Sequence, residues 1–134
     1  MIYLDTNILI YAFCKNVDDF EQKKMAQSIL RNTIISEELL LSEISLYEFA
    51  FVCKKQEEDE SVINENLVFL SKYVKSANIY TKVIDFINKS KSYKQSFDSF
   101  HIVFADYFSC SKIITFDKGF KKYNKFTKLK IELL

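Results

Sequence analysis

A three-layer α/β domain, with a short central parallel sheet flanked by helices, is the fold class this sequence predicts. Short β-prone runs end in acids, and long stretches at helical period separate them. Nothing else divides the chain, since its 134 residues hold no Pro, one Gly (Gly119), and no repeat or flexible linker. Strands separated by helices need crossover connections, and crossovers build parallel sheets. One domain spanning residues 1–134 is expected.

Taken in order, Ile2–Leu4 is a β-prone run ended by Asp5 and reads as a buried strand. Helical period follows over residues 5–14 and 18–32. Residues 39–41, all Leu, form a further short strand candidate, and helices are expected over 42–56 and 60–76. Residues 78–80 are a possible strand before helices at 81–90 and 96–109. A second buried strand is expected at 113–116, ended by Asp117, and 129–133 alternates Leu, Lys, Ile, Glu, Leu as an edge strand does. Phe97, Phe100, Phe104 and Phe108 recur at helical spacing, which reads as core rather than as base-stacking platforms.

Hydrophobic residues at 49% and charged residues at 28% exclude a disordered or fibrous chain. No apolar run approaches the ~18 residues of a membrane helix, so no membrane partner is expected. The opening apolar stretch has no basic start, carries Asp5 in its middle, and does not read as a signal peptide. Cys14, Cys53 and Cys110 are odd in number and widely spaced among apolar neighbours. They suit reduced core thiols in a cytoplasmic protein better than a disulfide or zinc framework. The net charge of +1 conceals a polarised chain: residues 1–66 carry −7 and residues 67–134 carry +8.

Certain acids fall where a core is expected. Asp5 is the only charged residue in 1–14, Glu48 the only one in 44–53, and Asp98 the only one in 95–105, counting His101 as neutral. Asp5, Asp98 and Asp117 each also suit a helix start, where a carboxylate caps backbone N–H groups. Glu48 has no such role. Its helical neighbours Ile44, Tyr47, Phe51 and Val52 are apolar, which places it at a cleft floor or against a cation. In a parallel sheet, ligands bind beyond the carboxyl ends of the strands, where Asp5 and Asp117 belong. Glu48 and Asp98 fall within the first two turns of helices able to cover that edge.

Two carboxylates ~4 Å apart repel by ~4 kcal/mol at an effective dielectric of 20, so a cluster of four calls for a cation. Oxygen ligands without His or Cys spacing point to Mg²⁺ or Mn²⁺. The usual work of such a site is phosphodiester hydrolysis by a metal-activated water.

The motifs Tyr3-Leu4-Asp5-Thr6-Asn7, Ser42-Glu43-Ile44-Ser45-Leu46-Tyr47-Glu48-Phe49, Asp98-Ser99-Phe100-His101-Ile102-Val103-Phe104-Ala105 and Thr115-Phe116-Asp117-Lys118-Gly119-Phe120 resemble, in order and spacing, those of PIN-domain ribonucleases. Within that family the likeness is nearest to VapC-type toxins. The resemblance implies a PIN-like three-layer fold. It also implies an acidic site of Asp5, Glu48, Asp98 and Asp117 binding one or two Mg²⁺ or Mn²⁺ ions, with Thr6, Asn7 and Thr115 orienting water or carboxylates beside it. Many relatives carry another acid two residues after the position of Asp117, where this chain has Gly119. His101 reads as a hydrogen-bonded core histidine. The implied activity is endoribonuclease cleavage of RNA, the implied partners a cognate antitoxin protein and a second copy of the chain in a homodimer. Lys118, Lys121, Lys122 and Lys125, just beyond Asp117, are the candidate RNA contacts.

Two other readings stand beside this one. A silent PIN-like module would bind RNA or protein without cutting. A phosphoaspartyl receiver or phosphatase also places Asp at strand ends, but a receiver expects an acidic pair after the first strand, and the phosphatase motif expects a second Asp where this chain has Asn7.

Overall fold

The fold follows from five short runs, the central ones apolar, none able to hide both of its faces alone. In the structure, a computed structural model describing residues 1–134, these runs form one parallel sheet in the order β3-β2-β1-β4-β5. The strands are β1 (Ile2–Leu4), β2 (Leu39–Ser42), β3 (Val74–Lys75), β4 (Lys112–Thr115) and β5 (Lys130–Leu133). Between them run α1 (Thr6–Phe13), α2 (Phe20–Ile35), α3 (Glu43–Lys55), α4 (Glu60–Ser71), α5 (Tyr80–Ser90) and α6 (Ser96–Tyr107). A 3-10 turn at Tyr93–Gln95 precedes α6, and a longer 3-10 run, Lys118–Lys125, joins β4 to β5. The three-layer α/β class is the one the sequence predicts.

Register explains why the central strands are apolar throughout. Tyr3 pairs with Leu40 of β2 and Ile113 of β4, and those three side chains face one core with Ile79, Val83, Ile102 and Phe104 from the α5–α6 layer. Leu4, Leu39, Leu41 and Ile114 point the other way, against Ile8, Leu9, Leu30, Phe49 and Leu70 from α1 to α4. A strand buried on both faces has no polar side to show, so its sequence does not alternate. No helix is long and apolar enough to cross a membrane.

Caps set the helix starts. Asp5 accepts from the Thr6 N–H, Asp19 from those of Glu21 and Gln22, and Ser42 and Ser45 form a reciprocal capping box on α3. The ends are unusual. Gly119 is the only glycine, and its φ is not positive, so Glu37, Glu57, Lys91 and Ser109 take the left-handed conformation, with φ between 53 and 64°, just after α2, α3, α5 and α6. Each sits where a glycine would ordinarily close the helix.

Several expectations need correction. The helix expected over 60–76 stops at Ser71, because Val74 and Lys75 leave it to pair with Leu41 and Ser42 as edge strand β3. Residues 78–80 form no strand: Ile79 buries its side chain ahead of α5, and Tyr80 opens that helix. The 129–133 expectation corresponds to β5, an edge strand parallel to β4. Phe104 is core, but Phe97 is 58% exposed, because α6 buries the arc of Ser99 and residues 101–105 and leaves Phe97 outside it. Tyr47 and Phe51, read as core neighbours of Glu48, are 64% and 69% exposed; α3 buries Ser45, Phe49 and Cys53 instead. All three cysteines are buried free thiols, and Cys14 and Cys53, distant in sequence, bring their Sγ atoms to 2.7 Å.

Candidate active site

From β1 the chain winds outward through β2 and β3, then returns to the other side as β4 and β5. The sheet therefore reverses its winding between β1 and β4, and the crevice beyond their carboxyl ends is where such sheets bind ligands. Asp5 follows β1 immediately, its N–H bonded to the Ile114 carbonyl at 3.0 Å. Its carboxylate is buried and doubly tied: Oδ1 accepts from the Thr6 N–H at 2.8 Å and Oδ2 from the Thr115 hydroxyl at 2.7 Å. Burial pushes Asp5 above the usual carboxylate range, and the nearby His101 and the bonds from Thr115 and Thr6 oppose it.

Thr115, wholly buried at the end of β4, organises this corner. Its Oγ1 donates to Asp5 and accepts from Asn7 Nδ2 at 3.1 Å and the Asp117 N–H at 2.9 Å. Asn7 in turn accepts the Phe116 N–H on Oδ1 at 3.4 Å. Asn7 and Thr115 thus lock the β1–α1 and β4 ends together, while Thr6, the third polar residue singled out beside the acids, turns its hydroxyl to Glu48 on α3.

Glu48 approaches from the second turn of α3. Its Oε1 accepts from the Thr6 hydroxyl at 2.8 Å and stands 2.6 Å from Nε2 of His101, which is 1% exposed. Burial pushes Glu48 upward, but the His101 bond and charge and the Thr6 bond outweigh it and hold the carboxyl below its ordinary value. For His101 the balance is reversed: burial lowers it, while Glu48, Asp5 and Asp98 raise it further. Behind the imidazole, Nδ1 lies 2.5 Å from the Tyr3 hydroxyl, which also meets Ser42 Oγ at 2.8 Å and Ser45 Oγ at 2.9 Å. Burial drives the Tyr3 hydroxyl far upward, so it stays protonated.

Asp98 enters from the first turn of α6, half-buried, and no protein group donates a hydrogen bond to it. Its carboxyl is pushed up to about 6, first by burial and then by the charges of Asp5 and Asp117, with Glu48 adding to them and His101 opposing. The four acids therefore stand close enough to feel one another. Asp117 is the exposed member; it caps the following 3-10 run by accepting the Gly119 N–H at 2.8 Å. A Cβ at position 119 would come within 3.0 Å of Asp117 Oδ1, so glycine there leaves the carboxylate its room.

No three of the His, Cys, Asp or Glu side chains are drawn into a ready-made metal cage. The donor set nonetheless fits a hard divalent cation. It is all carboxylate oxygen, and Asp98 carries an unpartnered carboxyl raised to about 6 by burial first and by its neighbours' charges second, a penalty a cation would relieve. The hollow between α5 and α6, about 310 Å³, contains none of the four acids; Lys82, Phe86, Val103 and Asp106 are among its lining. Lys118, Lys121, Lys122 and Lys125 all lie exposed on the 3-10 run after Asp117. Lys122 donates to Gln95 Oε1 at 3.2 Å, which brings it to the start of the helix bearing Asp98.

The sequence did not reveal the tie between Glu48 and His101 or the part of Tyr3. The available signal for His101 was its position: the chain's one histidine falls three residues after Asp98, on the same helical face. No curated protein matches the chain. A protein-family model described as the PIN domain matches residues 2–126, from the first strand through the lysine-bearing run. The reversal of the sheet at β1 and β4, the acids gathered beyond it and this match over nearly the whole length give one result: the chain belongs to the PIN domain family.

Proposed function

We propose that the protein is a Mg²⁺- or Mn²⁺-dependent endoribonuclease of the VapC type, the toxin of a toxin–antitoxin pair. PIN domains are in general nucleases that use divalent metals, and RNA is their characteristic substrate. The observation that carries the reading here is Asp98, a half-buried carboxyl with no hydrogen-bond donor, facing the charges of Asp5, Asp117 and Glu48. Nothing in the protein neutralises that cluster except His101.

Asp5, Asp98, Glu48 and Asp117 would hold one or two ions. A bound ion supplies Lewis-acid chemistry, neutralising charge on the scissile phosphate and acidifying a water. Thr115 and Thr6 keep Asp5 in one orientation, so its geometry is set before substrate arrives. Glu48 positions the attacking water or a second ion, and hydrolysis leaves a 5′ phosphate with no covalent intermediate. Lys118, Lys121, Lys122 and Lys125 contact backbone phosphates and read no base.

The acidic first half suits a basic antitoxin segment, whose Arg or Lys near Asp5 or Glu48 would displace the ion. Tyr47 and Phe51, exposed one turn apart on α3, support a homodimer that covers them. Three free thiols support a reducing, cytoplasmic setting.

The test is RNA cleavage by the purified chain with Mg²⁺ or Mn²⁺, with chelator, and by Asp98→Asn, with the ends of the products mapped. Cleavage that needs the ion, leaves 5′ phosphates and vanishes in Asp98→Asn supports the reading. Undiminished cleavage by Asp98→Asn overturns it. Mn²⁺ at a hundredfold excess over its Kd should add about 2.7 kcal/mol of stability, which a silent binding module would not show.

A further inference from the structure

We propose that His101 is a positioning residue that, backed by Tyr3, grips Oε1 of Glu48 and leaves Oε2 as the oxygen free to bind. The proposal rests on the nuclease reading and adds to it a device for setting one ligand.

The hydrogen bonds around Glu48 can be given a direction by counting protons. An ionised carboxylate only accepts, so Nε2 of His101 must carry a proton and donate it to Oε1 across 2.6 Å. The Thr6 hydroxyl donates to the same oxygen at 2.8 Å. Oε1 therefore takes both protein donors and Oε2 takes none.

On the far side of the ring, Nδ1 meets the Tyr3 hydroxyl at 2.5 Å, so both imidazole nitrogens are held in place. The same phenol oxygen lies 2.8 Å from Ser42 Oγ and 2.9 Å from Ser45 Oγ. Both serines in turn accept backbone N–H groups: Ser45 N–H bonds Ser42 Oγ at 3.1 Å, and Ser42 N–H bonds Ser45 Oγ at 3.4 Å. The contacts run without a break from the capping box of α3, whose two serine hydroxyls lie 3.0 Å apart, through Tyr3 on β1 and His101 on α6 to Glu48.

The path begins and ends on α3. Its first turn supplies the serines and its second turn supplies Glu48, so the network pins that part of the helix against β1 and α6 at once. Any buried imidazole needs partners on both nitrogens; what marks this one is that its donor is aimed at a candidate ligand. Partners of this kind fix ligand orientation at metal sites.

The first experiment uses the unmodified, metal-free chain. Because it has a single histidine, nitrogen-15 NMR of the imidazole is unambiguous. A proton on Nε2 is expected at every pH at which the protein stays folded, with its resonance displaced in Glu48→Ala. A bare Nε2, or a resonance indifferent to Glu48, overturns the proposal.

The second experiment titrates Mn²⁺ alone by electron paramagnetic resonance into His101→Gln and His101→Asn. A Gln amide reaches the Nε2 position and keeps the donor to Glu48, whereas Asn reaches only the Nδ1 position and loses it. Mn²⁺ affinity should stay within about threefold for His101→Gln and fall about tenfold or more for His101→Asn. In a Glu48→Ala background the His101→Asn change should add nothing. Equal losses in the two variants, or additive losses in the double variant, overturn the proposal. Failure of the wild-type chain to bind Mn²⁺ would count against the nuclease reading alone, and the imidazole spectrum would still decide the role of His101.

Discussion

Asp5 and Asp98 face the same cluster from opposite sides, yet one is bound on both oxygens and the other on neither. Asp5 receives the Thr6 N–H and the Thr115 hydroxyl, and Thr115 is itself held by Asn7 and the Asp117 N–H. Asp98 projects from α6 with no donor and a carboxyl raised to about 6. Burial raises both acids, but hydrogen bonds offset the penalty only for Asp5. The β1–β4 side is thus organised during folding, while the α6 side keeps its unfavourable charge until a counter-ion arrives.

The largest expected effect removes this contrast from catalysis. Asp5→Asn and Asp98→Asn should each lower RNA cleavage by more than about 100-fold, beyond the loss of an outlying partner. They should differ in stability. An amide at position 5 presents N–H to Thr115 or Thr6, which have donors of their own to place, and should cost about 1–2 kcal/mol in denaturant unfolding. Asp98→Asn should cost nothing in metal-free buffer. Equal destabilisation by the two would remove the distinction between the sides.

Next comes the brace itself. Thr115→Val keeps the shape but strips the hydroxyl from Asp5, Asn7 and the Asp117 N–H, leaving buried groups unsatisfied. A loss of about 1–3 kcal/mol is expected in thermal or denaturant unfolding, and an unchanged midpoint would show that the brace contributes nothing.

Charge reversal at Lys121 and Lys122 should weaken binding to unrelated RNAs alike. Loss of these two phosphate contacts should lower the slope of log affinity against log salt by about 1.4. An unchanged slope in fluorescence anisotropy would mark the lysine run as merely solvated.

The smallest effect at the site is its pH dependence. Asp98 has a folded value of about 6 against an ordinary 3.8, so the folded chain holds this proton more tightly than the unfolded chain. Its penalty is full above pH 6 and fades on acidification toward the ordinary value. The melting temperature of metal-free Asp98→Asn should therefore exceed that of wild type above pH 6 and converge with it near pH 4. A difference that grows on acidification would reverse the sign assigned to this group.

The fold class was legible because β1, β2 and β4 are short uniform apolar runs, and such runs divided by helical period lead to one kind of sheet. β3 was not. Two edge residues, half-buried Val74 and exposed Lys75, have no pattern of their own and are strand only because Leu41 and Ser42 lie beside them. The acids were visible as charges out of place, although the premise for Glu48 was partly wrong. α3 is apolar on nearly every side, so periodicity could not tell that Tyr47 and Phe51 face solvent. The Tyr3–His101–Glu48 path joins residues up to 98 positions apart on three elements, and spacing along a chain carries no trace of such a meeting.

Four helices here end on Glu37, Glu57, Lys91 and Ser109 in the left-handed conformation, and the site touches none of them. For residues bearing a Cβ that conformation costs about 1–2 kcal/mol relative to right-handed backbone, partly offset by the extra freedom glycine gives the unfolded chain. Glycine at any one of the four should raise stability by roughly 0.5–1 kcal/mol. Together they are a margin that engineering or evolution can draw on to tolerate destabilising changes elsewhere, including a crowded acidic cluster, without altering a single contact among the acids.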